Sequence, residues 1–388
     1  MGFALMLKLN SKVEVLNLKI DNSSLFKLTS DDSLPMVIRK KYALLGDKTQ
    51  PGFGAYLVKE FNNGNSNLEN IIKISDDFSY LRDGDIIRLD SSSHLNCIFR
   101  NNAKYNTFLL TERCNHYCLM CSQPPKRHDD SWLMESVLES IELLPKNLNM
   151  IGFSGGEPTL YGDKLVQLIQ KTKNFLPNTG IDILTNGRAF IDLNFVKKIQ
   201  KVNHAYCMFA IPLYSDDPSK HNYIVQADNA YDETLQGILN LKSHNQKVEI
   251  RIVIHKQSID TLINLCEFIT KNLIFVDHVA LMGLEITGFT RANLKDLWID
   301  PYDYKDILSA AVKILNKYNI QNSVYNHQLC TVNNDVYDNY QKSISDWKNE
   351  YVEECTGCLR KNECGGFFSS SKKYKYSDHI KPLKYDIQ

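Results

Sequence analysis

The chain has 388 residues, enough for two or three domains, and carries 45 Lys plus Arg against 45 Asp plus Glu, a formal net charge of zero. A neutral balance argues against a broad nucleic-acid surface, so no nucleic acid partner is expected. No apolar stretch reaches membrane-spanning length, and the opening "MGFALMLKLN" is too short an apolar run for a signal peptide, so no membrane partner and a cytoplasmic location are expected.

Residues 1–104 read as a small β-rich domain. "KVEVLNLKI" alternates apolar and polar residues, the strand period. "NNGNSN" at 62–67 is a loop, and "YLRDGDIIRLD" sets an Asp-Gly turn between apolar runs, as a hairpin would. From 105 to 325 the pattern changes to strand, loop and amphipathic helix in series. "NTFLLTE", "NMIGFSGGEP", "GIDILTNG", "HAYCMFAIPLY", "KVEIRIVIH" and "DHVALMGLE" are the strands, each followed by a helical stretch, which makes six βα units. Such alternation predicts a parallel α/β sheet with right-handed crossovers, either open or a partial (β/α)6 barrel. Residues 326–388 lose this periodicity, hold a second cysteine group and end in the polar stretch "SSSKKYKYSDHIKPLKYDIQ", which reads as loosely ordered.

Ten cysteines in such a chain are not read as disulfides. Cys97, Cys207 and Cys266 lie alone beside apolar stretches and read as small buried hydrophobes. Cys114, Cys118 and Cys121 form C-x3-C-x2-C directly after the first strand of the series. Zinc wants four ligands, and His116 lies inside the loop as a formal fourth. A cubane iron–sulfur cluster also takes thiolates from such loops, and three would leave one iron open to a ligand. "SGGEP" (154–158) ends the second strand, where paired glycines let a backbone approach a ligand closely. "LTNG" and "IPLYSDDPSKH" end the third and fourth strands, although such sequences also form turns without any ligand. Near the C-terminus "CTGCLRKNEC" supplies Cys355, Cys358 and Cys364, with Cys330 as a fourth thiol. The same residues fit a structural zinc site or an iron–sulfur cluster.

C-x3-C-x2-C followed by Gly-Gly-Glu-Pro resembles the radical S-adenosylmethionine superfamily. That resemblance implies a 4Fe–4S cluster on Cys114, Cys118 and Cys121. It implies the ammonium group of S-adenosylmethionine at Gly155, Gly156 and Glu157. It places the ribose and carboxylate of that cofactor near Thr185, Asn186 and Ser215, and Arg251, on the fifth strand, is open to two readings, a partner for that carboxylate or a structural ion-pair partner. Met120 stands where the family often has an aromatic residue beside adenine, and Pro212 where a polar residue is common. The motifs "LLTERCNHYCLMCSQPP", "SGGEPTLYG", "IPLYSDDPSKHNYI", "HVALMGLEITGF", "YNHQLC", "SISDWK" and "CGGFF" further resemble the C-type radical maturase of the His-Xaa-Ser peptide system, over roughly residues 70–370. The C-terminal cysteines resemble a twitch/SPASM-like auxiliary-cluster extension, with Phe368 where the fuller pattern has a further cysteine, so one auxiliary cluster is expected.

The resemblance therefore implies reductive cleavage of S-adenosylmethionine to a 5′-deoxyadenosyl radical, which takes hydrogen from a ribosomally made peptide. It also implies a companion radical maturase and a reductant protein such as flavodoxin or ferredoxin. His255, Tyr214 and Glu285 lie at strand ends and are available for later steps. The rival readings are a radical enzyme acting on a small molecule and a zinc-stabilised binding protein. The second of these does not explain "SGGEP" after the second strand. Peptide capture by strand addition is a possible role for the β-rich domain.

Overall fold

A computed structural model describes residues 9–48, 50–61, 67–342 and 349–384. Most of the 62–67 loop and the stretch "SISDWK" lie outside the described residues. Eight short strands precede residue 100: β1 (Asn10–Lys12), β2 (Glu14–Leu16), β3 (Ser23–Thr29), β4 (Tyr42–Leu45), β5 (Ala55–Val58), β6 (Ile71–Lys73), β7 (Ile86–Asp90) and β8 (His94–Phe99), with helix α1 (Met36–Arg39) between β3 and β4. They form one sheet in the order β1-β8-β7-β3-β4-β5-β6-β2. "KVEVLNLKI" is therefore not one strand. β1 pairs with β8 at one edge and β2 pairs with β6 at the other. Only Val13 separates β1 from β2, so the two edges meet within about 7 Å and the sheet curls on itself. Phe26, Leu28, Leu57, Ile72, Phe78, Ile87 and Leu95 fill the curl. Among the described residues the two edges are three residues each, which leaves little template there for an added strand.

The expected Asp-Gly hairpin is also different. Gly84 turns at φ +84°, but it follows the short turn Asp76–Phe78 rather than a strand. The hairpin is β7–β8, which reverses at Ser91–Ser93. Asp85 explains the substitution. Its buried carboxylate accepts the N–H groups of Arg82 at 2.9 Å and Asn101 at 2.7 Å, so the Asp-Gly segment ties to the end of β8.

The second sheet is parallel throughout: β9 (Asn106–Leu109), β10 (Met150–Ser154), β11 (Gly180–Leu184), β12 (Cys207–Pro212), β13 (Lys247–Ile254), β14 (His278–Gly283) and β15 (Asn322–Tyr325), side by side in chain order. The six expected strands are joined by a seventh, the polar "NSVY". Helices α2 (Ser131–Ser140), α3 (Asp163–Phe175), α4 (Leu193–Val202), α5 (Pro218–Val225), α6 (Ala230–Ser243), α7 (Leu262–Asn272), α8 (Phe289–Ala292), α9 (Leu294–Leu297) and α10 (Lys305–Lys317) lie between the strands. This is a nearly closed barrel-like α/β sheet. Among the described residues no helix is long and apolar enough to cross a membrane.

α4 shows how the sequence builds one layer. Asp192 caps it by accepting the Asn194 N–H at 2.8 Å, and Asn203 ends it in the left-handed conformation. Phe195, Val196, Ile199 and Val202 recur at helical spacing and are buried. β13 shows the strand counterpart. Val248, Ile250, Ile252 and Ile254 are buried under the helices, while Glu249, Arg251 and Val253 alternate to the less buried inner face. Cys97, Cys207 and Cys266 are buried, as free thiols, in the two cores.

The C-terminal stretch is not loosely arranged as far as residue 384. α11 (Ser369–Tyr374) follows buried Phe367 and Phe368, and Ile380 and Ser377 are also buried. His379 stacks on Tyr302 at 4.0 Å, and Leu383 O accepts the Leu359 N–H at 2.9 Å. A few apolar and aromatic anchors hold a segment whose composition is otherwise polar.

Candidate active site

The cysteine loop leaves β9 and is fastened before its first thiol. Asp130 sits at the N-terminal end of α2, but its carboxylate turns away from the helix. It accepts the Thr111 hydroxyl at 2.9 Å, the Glu112 N–H and Arg113 Nε at 3.2 Å. Burial pushes the Asp130 carboxyl upward, yet the Glu112, Thr111 and Arg113 contacts together hold it below the usual range. Farther along, Tyr117 N–H and Leu119 N–H donate to Val225 O and Ile224 O at the end of α5. The Thr290 hydroxyl donates to Met120 O at 3.0 Å, and the Asn293 amide to Leu119 O at 2.9 Å. Gly288, at φ +51°, lies where a Cβ would stand 2.3 Å from Cys121 O. The loop is thus held by β9, α5 and the α8–α9 segment.

The glycine pair packs against this loop. Gly156 N–H donates to Thr111 O and Glu157 N–H to Arg113 O, both at 2.8 Å. A Cβ on Gly156 would fall 2.2 Å from Arg113 O and 2.9 Å from Cys114 Cβ, so only glycine fits. Glu157 itself is fully buried. Oε1 accepts the Thr159 N–H (2.9 Å), the Thr159 hydroxyl (2.6 Å) and the Thr185 hydroxyl (2.7 Å), while Oε2 accepts the Asn186 N–H at 2.6 Å. Burial raises its carboxyl, and these four donors oppose the rise. Glu157 ties the end of β10 to the end of β11.

Cys114, Cys118, Met120, Cys121, Gly155, Gly156, Thr185, Asn186 and Arg251 all line one cavity of roughly 390 Å³, together with His116, Pro212, Tyr214 and Glu285. Glu157, Ser215 and His255 do not line it. Ser215 is buried and caps the following turn by accepting the Asp217 N–H at 3.0 Å. His255 is buried behind Tyr214, with ring centroids 6.2 Å apart. Asn186 also donates to Asn115 Oδ1 at 2.6 Å, a contact that joins the third strand end to the cysteine loop. Asn115, Asp130 and Thr290 were missed in the sequence, because each acts through a partner distant along the chain. Beneath the cavity, Arg251 Nε donates to Glu249 Oε1, Glu249 Oε2 meets His278 Nδ1 at 2.8 Å, and His278 Nε2 meets Ser323 Oγ at 3.0 Å. Asp182 faces the same network. Burial, then repulsion from Glu249, lifts its carboxyl to about 6. Alternation along "KVEIRIVI" is the one sequence signal for these inward polar residues.

Soft thiolates on one short loop suit iron–sulfur or zinc binding, and the cavity that they line offers the space for a bulky group. Among the described residues no three His, Cys, Asp or Glu side chains already converge on a metal-binding point. The thiols have other partners: Cys121 Sγ lies 3.0 Å from Gln123 O, and Cys114 Sγ accepts the His116 N–H at 3.3 Å. Burial pushes the Cys114 thiol up to about 12 and raises Cys118 and Cys121 as well, so metal loading must displace protons. Three thiols on one loop are a donor set whose chemistry fits a cluster. His116 is the alternative zinc ligand. Its Nδ1 lies 4.0 Å from Cys118 Sγ, and its buried Nε2 has no hydrogen-bond partner among the described residues.

The second cysteine group is assembled from distant segments. Cys330 and Cys355 both sit within electrostatic range of Cys364, and Cys355 also of Cys358. Burial, more than these neighbours, lifts the Cys330 thiol to about 11. Backbone N–H groups aim at the sulfurs: Leu329 and Gly366 at Cys364 (3.5 and 3.4 Å), and Leu383 at Cys358 (3.4 Å). Such donors stabilise metal-bound thiolates.

A profile of the Radical SAM superfamily matches residues 108–269. The chain is similar to the UPF0026 protein of Helicobacter pylori, 28% identical over 137 residues, covering 33% of this chain and 42% of that protein. It is similar to GTP 3′,8-cyclase of Campylobacter jejuni, 29% identical over 178 residues, covering 44% of this chain and 53% of that enzyme. The chain thus spans about half the length of these curated relatives. The structure of anSMEcpe with bound AdoMet and Cp18Cys peptide superposes with a TM-score of 0.50 at 13% identity, over 72% of this chain and 92% of that one. This last likeness is one of fold alone.

Proposed function

Taking as premise the Radical SAM superfamily, which the profile match over the barrel supports and whose members are enzymes, we propose that this chain modifies a ribosomally made peptide by radical chemistry. The observation that carries the reading is the single cavity shared by the three loop thiols, the glycine pair and the third to fifth strand ends. When bound, a 4Fe–4S cluster and S-adenosylmethionine supply one-electron cleavage of a sulfonium carbon–sulfur bond, giving a 5′-deoxyadenosyl radical that takes a substrate hydrogen atom.

In this reading Cys114, Cys118 and Cys121 hold the cluster. The Gly155–Gly156 turn brings backbone against the cofactor's amino group, with Glu157 acting from behind by fixing that turn. Thr185 and Asn186 face its ribose, and Arg251 its carboxylate. Met120, Tyr214, Val253 and Met282 line the cavity with apolar surface, which limits water around a reactive radical. Ser215 and His255 act as supports rather than contacts. Cys330, Cys355, Cys358 and Cys364 hold an auxiliary iron–sulfur cluster, with zinc as the alternative. A flavodoxin- or ferredoxin-type protein supplies the electron, and a companion maturase works on the same peptide.

The peptide substrate rests on the sequence resemblance to the His-Xaa-Ser maturases. The similarity to GTP 3′,8-cyclase favours a second reading, a small-molecule substrate. One experiment separates them. Reconstituted protein, S-adenosylmethionine and a chemical reductant are incubated with a His-Xaa-Ser repeat peptide or with GTP, and 5′-deoxyadenosine and substrate mass are followed. Peptide-dependent 5′-deoxyadenosine with a changed peptide mass is expected. Stimulation by GTP alone would transfer the protein to the small-molecule class.

A further inference from the structure

The cysteine-loop cavity does not end at the barrel mouth. Gly283, Leu284 and Asn326 line it and also line a narrow neck of about 40 Å³ beside it. Lys375, Tyr376 and Ser377 line that neck and also an outer groove of roughly 460 Å³ along α11. Tyr374 continues the groove into a second hollow beside Arg291. The cavity, the neck and the groove are therefore neighbours that share wall residues, in a row from the thiol cavity to the C-terminal segment. The far wall is fixed: the Tyr376 hydroxyl bonds Glu354 at 3.2 Å, and Tyr376 packs edge-on against Phe367 at 5.4 Å.

The outer end of the row is basic in a chain whose net charge is zero. Lys372, Lys373, Lys375 and Arg291 line it against Glu354 and Asp378, an excess of two positive charges. Lys375 is near Asp378 (3.4 Å) and Lys372 near Glu350 (3.5 Å). Lys373 and Arg291 face only the Tyr374 ring, at 5.4 and 4.6 Å, with no acidic partner among the described residues. Two cations on one exposed aromatic ring are positioned to take carboxylates from a ligand.

We propose that this groove binds an extended peptide segment carrying Asp or Glu, flanking the residue whose side chain passes the neck into the cavity. The proposal rests on the peptide reading above and adds a substrate requirement, an acidic flank. Along this groove the neck favours a peptide over a nucleotide. Its free space is that of a few waters, enough for a slender side chain and too small for a purine. Extended peptide also matches an open groove ending in a narrow portal.

The test is fluorescence anisotropy on the full, reconstituted chain with two labelled peptides of equal length, one of Glu, Gly and Ser and the other of Lys, Gly and Ser. The acidic peptide is expected to bind at least about tenfold tighter than the basic one, with affinity falling as salt rises. Arg291→Glu/Lys373→Glu is expected to remove this preference, and Arg291→Gln/Lys373→Gln to reduce it, with circular dichroism and the thermal midpoint reporting on folding. Equal binding of both peptides, or wild-type preference in both folded variants, would overturn the proposal. So would displacement of the acidic peptide by GTP at lower concentration than by unlabelled peptide. Binding of S-adenosylmethionine is measured in parallel by calorimetry. Its absence with the acidic preference intact would sink the radical reading and leave the groove standing, and the reverse would sink only the groove.

Discussion

Gly156 presses against Cys114 so closely that a methyl group on the glycine would sit 2.9 Å from the cysteine Cβ and 2.2 Å from Arg113 O. Two motifs about forty residues apart in the chain are one packed unit. Gly156→Ala must displace the cysteine loop, at a cost of about 1–3 kcal/mol for overpacking. The expected result is loss of most iron at the loop site while the C-terminal site keeps its metal. Iron content and urea unfolding of the variant check this, and unchanged loading would refute the coupling.

Glu157 accepts four hydrogen bonds while fully buried. Glu157→Gln turns an amide N–H toward at least one existing donor and is expected to cost about 1–3 kcal/mol. Glu157→Ala orphans all four donors, each at about 1–3 kcal/mol where it stays buried, and is expected to cost more than the Gln variant. If chemical denaturation ranks Ala no worse than Gln, the carboxylate is not the clamp between β10 and β11.

Arg251 is held by Glu249, which His278 and Ser323 hold in turn. Freed by Glu249→Gln, Arg251 loses a charged partner and gains rotamer freedom. S-adenosylmethionine affinity, read by calorimetry on the reconstituted protein, is expected to fall about three- to tenfold, the scale of one weakened charged contact. Glu249→Asp, which keeps the charge, should restore part of it.

Buried histidines, His221, His255 and His327 among them, and one aspartate give the stability opposite slopes with pH. Burial holds His221, His255 and His327 down to about 4, so the unfolded chain binds protons there first. Their contribution is complete above pH ~6.5 and is lost as pH falls toward 4. Asp182 is raised to about 6, so the native chain keeps its proton longer and this residue lowers stability as pH rises from ~4 to 6. Asp182→Asn is expected to stabilise the protein at neutral pH by about 1–3 kcal/mol and to steepen the acid-side loss. Unfolding free energies at pH 4.5, 5.5 and 7 on wild type and on Asp182→Asn check both signs, and a flat profile in the variant, where Asp182 no longer opposes the histidines, would contradict the histidine assignment.

Much of the barrel was legible because its strands are apolar runs bounded by turns, and β13 even reveals its two faces by alternation. β15 was not, because "NSVY" is short and half polar and becomes a strand only by pairing with β14. The split of 10–16 between two sheet edges was hidden for a similar reason, since partner choice lies elsewhere in the chain. Within the site, C-x3-C-x2-C and Gly-Gly-Glu-Pro could be read from spacing. The Asn186–Asn115 contact joins residues 71 apart in sequence and needed the fold to bring them together. Ser215 and His255 show the opposite limit, polar residues at strand ends that turn into the core rather than the cavity.

The most direct test of a radical cluster at the loop is a metal and sulfide count after anaerobic reconstitution, on wild type and on the Cys114/Cys118/Cys121→Ala triple variant. One cubane at each cysteine group predicts about eight irons per chain, falling to about four in the variant. Zinc without iron in the reconstituted wild type, or an iron count that the triple variant leaves unchanged, would contradict the account.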